Sequence, residues 1–386
     1  MQRVHLDYAA GTPVLAQVRE AMAAALMQGG NPSSIHQAGQ RAQGALEQAR
    51  QQVAGLLNAA PEEIFFTSCG TESNNWALRG LMAANRRHGN HLIVSAIEHP
   101  SVSLLARRLE LDGAQVTTLP VDREGFVSPS DLKAALKPET VLVSIMLANG
   151  EVGTMEPIQE LAALAHEHGA LFHTDAVAAV GHTPINVKEL GIDALSLAAN
   201  QCYGPPGAAA LFVRDGVRIL PLLEGGGQEH GGRSGTEALP QLVGMGAAAA
   251  LAQRELPQRI ERLSRFRDRL RDGLQAHIEA LRVNGSWSSR LAHNLHVCID
   301  GASSESLVRG LDEAGVAVGL GSACNSKTMR PSHVLKAMGL SDEEAKGALV
   351  LTVGVPTTEE EIERAIERIP QVAERIRRVS LLTARS

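Results

Sequence analysis

Lysine is scarce in this chain of 386 residues, occurring only at positions 133, 137, 188, 327, 336 and 346. Chemistry that needs an amine nucleophile therefore has few places to sit. Aromatic residues are only 3% of the chain, so its core must rest on Ala, Leu, Val and Ile. No block of Lys and Arg interrupts a net charge of −6. That balance argues against nucleic acid or an anionic membrane surface as partner. No apolar run is long enough to span a bilayer, and the opening MQRVHLDYAAGTPV has no apolar h-region. The cysteines, Cys69, Cys202, Cys298 and Cys324, lack metal-type spacing, so no metal site is expected and a reduced, cytoplasmic setting fits best.

What is present is ordinary for a globular protein, with 44% hydrophobic and 20% charged residues. The length allows two domains with sizeable cores. Short β-type runs occur at 64–68, 91–96, 115–119, 140–146, 170–175, 194–198 and 209–213. Helical patterns such as Val18–Gln28, Ala38–Leu57 and Ile158–His168 lie between several of them. This alternation predicts an α/β domain over 14–250, with a mostly parallel seven-stranded sheet covered on both faces. Ligands of such sheets sit beyond the carboxyl ends of the strands. After about residue 250 a charged helical stretch, Glu255–Leu281, precedes HNLHVCID, a helix at Ser304–Ala314 and the strand-like 348–354. A last helix opens with Pro356 and a capping box from Thr358 to Glu361, and carries an Ile362, Ile366, Ile369 stripe. These segments predict a smaller α+β domain formed by 1–13 and 251–386.

Several motifs follow one another in a recognisable order: LDYAAGTPV (6–14), NPSSIHQAGQRA (31–42), FTSCGTESNN (66–75), SAIEHPSV (95–102), HTDAVAAVG (173–181), DALSLAANQCYGPPG (193–207), GGGQEHGGRSGTEALPQLVG (225–244) and GSACNSK (321–327). Together they resemble the cysteine desulfurases of nitrogen fixation and iron–sulfur cluster assembly. The resemblance implies the class-V aminotransferase fold, fold type I of the pyridoxal phosphate (PLP) enzymes, usually as a homodimer. It also implies that Gly70 and Thr71 form the turn that holds the PLP phosphate, where a helix N-terminus suits an anion. A turn kept for geometry, with Thr71 as a cap, is the plainer alternative. By the same resemblance Thr236 reaches the phosphate from the partner subunit, His99 stacks on the ring and shuttles protons, and Asn31 contacts substrate. Asp175 pairs with the ring nitrogen. A buried carboxylate there needs a donor in any case, from a ring, a water or a neighbouring side chain such as a histidine.

The departures from that pattern are concentrated at the cofactor. Where the family has the lysine that binds PLP as a Schiff base, this chain has Gln201, and an amide nitrogen cannot replace an amine there. The preceding histidine is Asn200 and the serine before it is Ala198. The glutamine of the PLP phenolic oxygen is Ala178, and an asparagine near the cofactor is Gly150. The arginine that would grip the substrate carboxylate falls at Val355, and a second arginine of that strand at Val350. Covalent PLP is therefore not expected, and non-covalent binding is weakened.

Cys324, by contrast, sits in an intact GSACNS motif that resembles the mobile loop of the family's persulfide-carrying cysteine. A small core thiol is the plainer reading. Lys327 either lowers its pKa or is a solvated loop residue. Three functions follow. The first is a dimeric scaffold or persulfide relay without ordinary desulfurase activity, paired with itself or with an active paralogue, that serves a sulfur acceptor or cluster-assembly scaffold. The second is an enzyme with altered chemistry on loosely held PLP or another ligand. The third is an active desulfurase with a displaced lysine.

Overall fold

A computed structural model describes residues 3–320 and 331–383. The strands, in chain order, are β1 (Val4–Leu6), β2 (Ile64–Thr67), β3 (His91–Ser95), β4 (Gln115–Leu119), β5 (Thr140–Ser144), β6 (Leu171–Asp175), β7 (Ala194–Ala198), β8 (Ala209–Val213), β9 (Leu281–Asn284), β10 (Asn294–Ile299), β11 (Val316–Val318) and β12 (Ala348–Thr352). Seven of them form one sheet in the order β2-β8-β7-β6-β5-β3-β4. Only β8 runs against its neighbours, because Gly204–Gly207 turns the chain straight back beside β7. Every residue of β3, β5, β7 and β8 is buried, as a sheet covered on both faces requires.

Side chains leave the sheet alternately. Ile93, Val143, Phe172, Leu195 and Phe212 join the core beneath the helix Gln37–Leu57 and the helix Ile158–Glu167. Their neighbours Leu92, Val94, Leu142, Ala194 and Leu211 join a core under Gly70–Ala84 and Pro100–Leu111 on the other face. A separate core lies among the parallel pair β1 and β11, the antiparallel trio β12-β10-β9, and the helices Leu239–His277 and Glu359–Thr383. The capping box forms as the sequence predicts: Thr358 N–H donates to Glu361 Oε2 at 2.9 Å, and Glu361 N–H to Thr358 Oγ1 at 3.3 Å. Among the described residues no helix is long and apolar enough to cross a membrane.

Two elements differ from expectation. The helix expected from Glu255 begins at Leu239, because the Ala- and Gly-rich stretch before it packs closely on Gln37–Leu57. A side chain at Gly246 would meet the Ala49 backbone at 2.6 Å. The strand expected over 348–354 ends at Thr352, where the chain turns away from β10.

Burial also shapes the response to pH. In β6, His173 pairs with Ser144 Oγ at 2.9 Å and Ser196 Oγ at 3.0 Å, and burial pushes its pKa down to about 3. Burial lowers His182 to about 4 and His296 to about 3. Glu98, Glu151 and Glu156 move the other way, each raised by burial to about 8. Between the lowered values and the ordinary 6.5, the unfolded chain binds more protons at these histidines, so stability falls as pH drops. Between the ordinary 4.5 and 8 the folded chain binds more at the glutamates, so stability falls as pH rises. The two sets offset each other between about pH 4.5 and 6.5. Stability should therefore plateau there and decline outside, by up to about 1.4 kcal/mol per pH unit for each unopposed proton. Urea midpoints measured near pH 4, 5.5 and 8 check this, and a higher midpoint at 8 than at about 5.5 contradicts it.

Candidate functional site

The carboxyl ends of five strands converge on one cleft of about 430 Å³, lined among others by residues 69–71, 97–101, 148–151, 175, 177, 178, 198, 200 and 201. It lies where β4 and β5 leave β3 on opposite sides, the place such sheets offer to a ligand.

After β2 the chain enters the helix Gly70–Ala84. Gly70 is required for close approach: a Cβ there would lie 2.6 Å from Val177 Cγ2. Thr71 is exposed at that helix start, and its carbonyl accepts from Asn75 Nδ2 at 2.9 Å. After β3, His99 caps the helix Pro100–Leu111. Its Nδ1 accepts from Ser101 N–H at 3.1 Å and lies 2.8 Å from Ser101 Oγ. With Nδ1 accepting, the ring proton belongs on Nε2.

Asp175 closes β6 and finds its donors within the chain. Asn74 Nδ2 donates to Oδ2 at 2.6 Å, and Val177 N–H to Oδ1 at 2.9 Å. Desolvation still dominates and raises its pKa. The same Asn74 Nδ2 donates to Ser101 Oγ at 2.8 Å, so one buried chain of hydrogen bonds joins Asp175 to His99.

Beyond β7, Gln201 is half-buried and tied down at both ends. Its Nε2 donates to Ala9 O at 3.0 Å, and its own carbonyl accepts from His182 Nε2 at 2.9 Å. Asn200 uses its carbonyl to accept from Thr12 N–H and Thr12 Oγ1, both at 2.9 Å. Gly150 and Ala178 face each other: a Cβ on Gly150 would sit 3.3 Å from Ala178 Cβ. Ala198 and Val350 complete the apolar part of the wall.

Two expected site residues lie elsewhere. Val355 is a correction, since the cleft is lined by Val350. Beyond Thr352 the chain has turned, Val355 N–H donates to Tyr203 Oη at 2.8 Å, and its carbonyl accepts from Arg262 Nη1 at 2.8 Å. Asn31 is exposed and its Oδ1 accepts from Ser33 N–H at 2.9 Å, which commits it to a turn away from the cleft. Thr236, which the resemblance assigns to the partner subunit's site, is exposed and outside the cleft of its own chain. Cys324 and Lys327 lie outside the described residues.

Other lining residues escaped the sequence reading. Asn74, Glu98 and His293 are buried cleft residues, and Glu151 is a partly buried one. Their signal was a polar residue inside an otherwise buried motif. Among the described residues each keeps one buried polar atom without a hydrogen-bond partner: Asn74 Oδ1, Glu98 Oε2, Glu151 Oε1 and His293 Nδ1. Among the described lining residues there is no Lys or Arg. Among the described residues no group of three or more His, Cys, Asp or Glu side chains is placed to hold a metal ion.

Comparison with known proteins agrees with this geometry. The chain matches the family "Aminotransferase class-V" over residues 4–365. It is 45% identical over 380 residues to a cysteine desulfurase IscS of Dictyoglomus turgidum, covering 98% of this chain and 96% of that one. It is 40% identical over 383 residues to the mitochondrial cysteine desulfurase of Arabidopsis thaliana, covering 98% and 84%. Among solved structures, a NifS-like protein superposes with a TM-score of 0.91 at 33% identity, covering 97% of this chain and all of that one. SspA in complex with cysteine gives 0.81 at 35%, covering 91% and 98%. The chain belongs to the class-V aminotransferases, fold type I, and within them to the IscS and NifS homologues of the cysteine desulfurase group.

Proposed function

We propose that this chain is a cysteine-desulfurase-like protein of sulfur transfer, in iron–sulfur or thio-cofactor metabolism, that has lost PLP-dependent cleavage of cysteine. It acts as a dimeric scaffold and persulfide carrier through Cys324, as a homodimer or beside an active paralogue. The observation that carries this reading is Gln201 at the family's lysine position, with its amide committed to Ala9 O at 3.0 Å.

PLP is implied by family membership. The described residues fit it poorly. The cleft retains Asp175, His99 and the Gly70–Thr71 turn, but its described lining offers no amine for covalent attachment and no cation for phosphate or carboxylate. Lys133, Lys137, Lys188, Lys336 and Lys346 all lie away from it. In the relay, a donor persulfide passes its terminal sulfur to the Cys324 thiolate and leaves as a thiolate, with no net oxidant required.

Borohydride reduction of purified protein given PLP, followed by mass spectrometry, should find no pyridoxyl-lysine. A persulfide donor should load Cys324 ahead of the other cysteines. Burial pushes the Cys202 and Cys298 thiols up to about 11, so exposed Cys69 is the meaningful competitor. A pyridoxyl-lysine would revive the active-desulfurase reading, and faster loading of Cys69 would remove the relay.

A further inference from the structure

We propose that the outer face of the helices Gly70–Ala84 and Pro100–Leu111 is a docking surface for a partner protein, and that it receives an acidic amphipathic segment. The proposal stands on surface charge and exposure, and does not depend on what the cleft holds or on Cys324.

Hydrogen bonds fix which segments are neighbours on this face. Asn75 Nδ2 donates to Ser101 O at 3.4 Å, which joins the two helices near their starts. On the other flank of the first helix, Trp76 Nε1 donates to Leu220 O at 2.9 Å and Asn85 Nδ2 to Arg218 O at 3.2 Å. The first helix therefore lies between the second helix and the segment 217–220. Half-buried Arg79 and exposed Arg86 and Arg87 follow it, exposed Arg107 and Arg108 stand on the second helix, and exposed Arg218 lies on the opposite flank. The chain's net charge is −6 and its sequence has no basic block, so folding is what gathers these six arginines.

Their charges are largely unanswered. Among the described residues only Arg108 of the six forms an ion pair, with Asp112 at 3.1 Å, and Glu110 is the only acid within the second helix. A guanidinium presents a fork that matches a carboxylate bidentately. Between the arginines, Leu104, Leu111 and Leu220 are 59%, 81% and 50% exposed. Arginine beside exposed apolar side chains is the composition of a protein interface, and an amphipathic helix with carboxylates flanking an apolar stripe complements both.

The same observations disfavour the other polyanions. None of the exposed apolar side chains here is aromatic, so a nucleic acid finds no stacking platform. An anionic bilayer is broad enough to face the negative remainder of the chain, whereas a short segment feels only charges within about a Debye length of 8–10 Å. Both helices start at the cleft, and Arg79 lies eight residues beyond Thr71, about 12 Å at 1.5 Å per residue. A partner seated here is held close to the cleft mouth.

The probe is a fluorescent helical peptide with a leucine stripe flanked by glutamates, titrated with the full-length protein and read by anisotropy. It should bind, and a scrambled peptide of the same composition should bind at least about fivefold more weakly. The combined change Arg86→Glu, Arg87→Glu and Arg107→Glu should weaken binding at least about tenfold, while Arg309→Glu, on another helix, should change it less than about twofold. Leu111→Ser should weaken it without altering its salt dependence. Circular dichroism and the urea midpoint check that these exposed changes leave the fold intact; if the triple variant does not fold, Arg107→Gln alone tests the charge. Absence of peptide binding, equal binding of the scrambled peptide, or no effect of the arginine changes overturns the proposal. So does tighter binding of duplex DNA or of phosphatidylserine vesicles than of the peptide.

Discussion

Gln201→Lys is expected to take up PLP without gaining useful desulfurase activity. The substitution returns a nucleophilic amine beside Asp175 and the Gly70–Thr71 turn, so a covalently bound fraction should be detectable after borohydride reduction. Turnover needs the substrate carboxylate held, and Val350 offers no charge-assisted contact for it. Losing one such hydrogen bond costs about 1.5–3 kcal/mol. Felt in the transition state, that is roughly one to two decades in rate. Gly150 and Ala178 remove further polar contacts, and these losses need not add simply. Sulfide release from cysteine by Gln201→Lys should therefore stay at least about tenfold below that of an ordinary family member. Adding Val350→Arg should recover part of the deficit. Full activity in the single variant would leave Gln201 as the only lesion.

Breaking the Arg50–Glu229 pair should be the most damaging single change to the fold. Arg50 is 2% exposed in the helix Gln37–Leu57, and its guanidinium meets Glu229 through Nη1 at 2.7 Å and Nη2 at 2.9 Å. Arg50 Nη1 also donates to Ile64 O at 2.6 Å, and Glu229 accepts from Phe66 N–H at 2.7 Å, so the pair pins the edge strand β2. Glu229 and His230 have φ of 48° and 55°, left-handed values that side chains rarely adopt, and the pair holds the loop in that strained path. Arg50→Met leaves a buried carboxylate uncompensated and should cost about 3–5 kcal/mol. Arg50→Met with Glu229→Met should cost less than the single change. Urea unfolding of the three proteins checks the order, and a neutral Arg50→Met would show that water already screens Glu229.

The large sheet was legible because its strands are buried on both faces, which writes continuous apolar runs into the sequence. The seven predicted runs, from 64–68 to 209–213, coincide with β2–β8 to within two residues at either end. The antiparallel sense of β8 was not legible, since strand direction depends on a turn and not on side-chain pattern. The early start at Leu239 was hidden by alanines and glycines that show no charged face. At the site, residues beside glycine-rich turns stood out, whereas Asn74 lies within a helix and Glu98 in the short loop after β3, where neither is marked by a turn residue. The resemblance assigns the carboxylate-gripping arginine to Val355 and a second arginine to Val350, and sequence spacing does not reveal where the strand between them ends. Thr352 is that end, and the two valines therefore face different surroundings.

The helix Leu239–His277 has a consequence for how the molecule can be taken apart. At about 1.5 Å per residue it runs nearly 60 Å. Its first half packs Leu242, Met245, Ala249 and Ala252 into the core beneath the large sheet, and its second half packs Leu263, Phe266, Leu270 and Leu274 into the core around β10. A boundary drawn at residue 250 cuts through the middle of this rod. Each fragment would carry a severed helix whose apolar face has lost part of its cover. Fragments cut there are therefore expected to unfold more readily than the whole chain, which urea unfolding of each piece would check. One helix thus supplies side chains to both cores, with Pro257 between the two stretches.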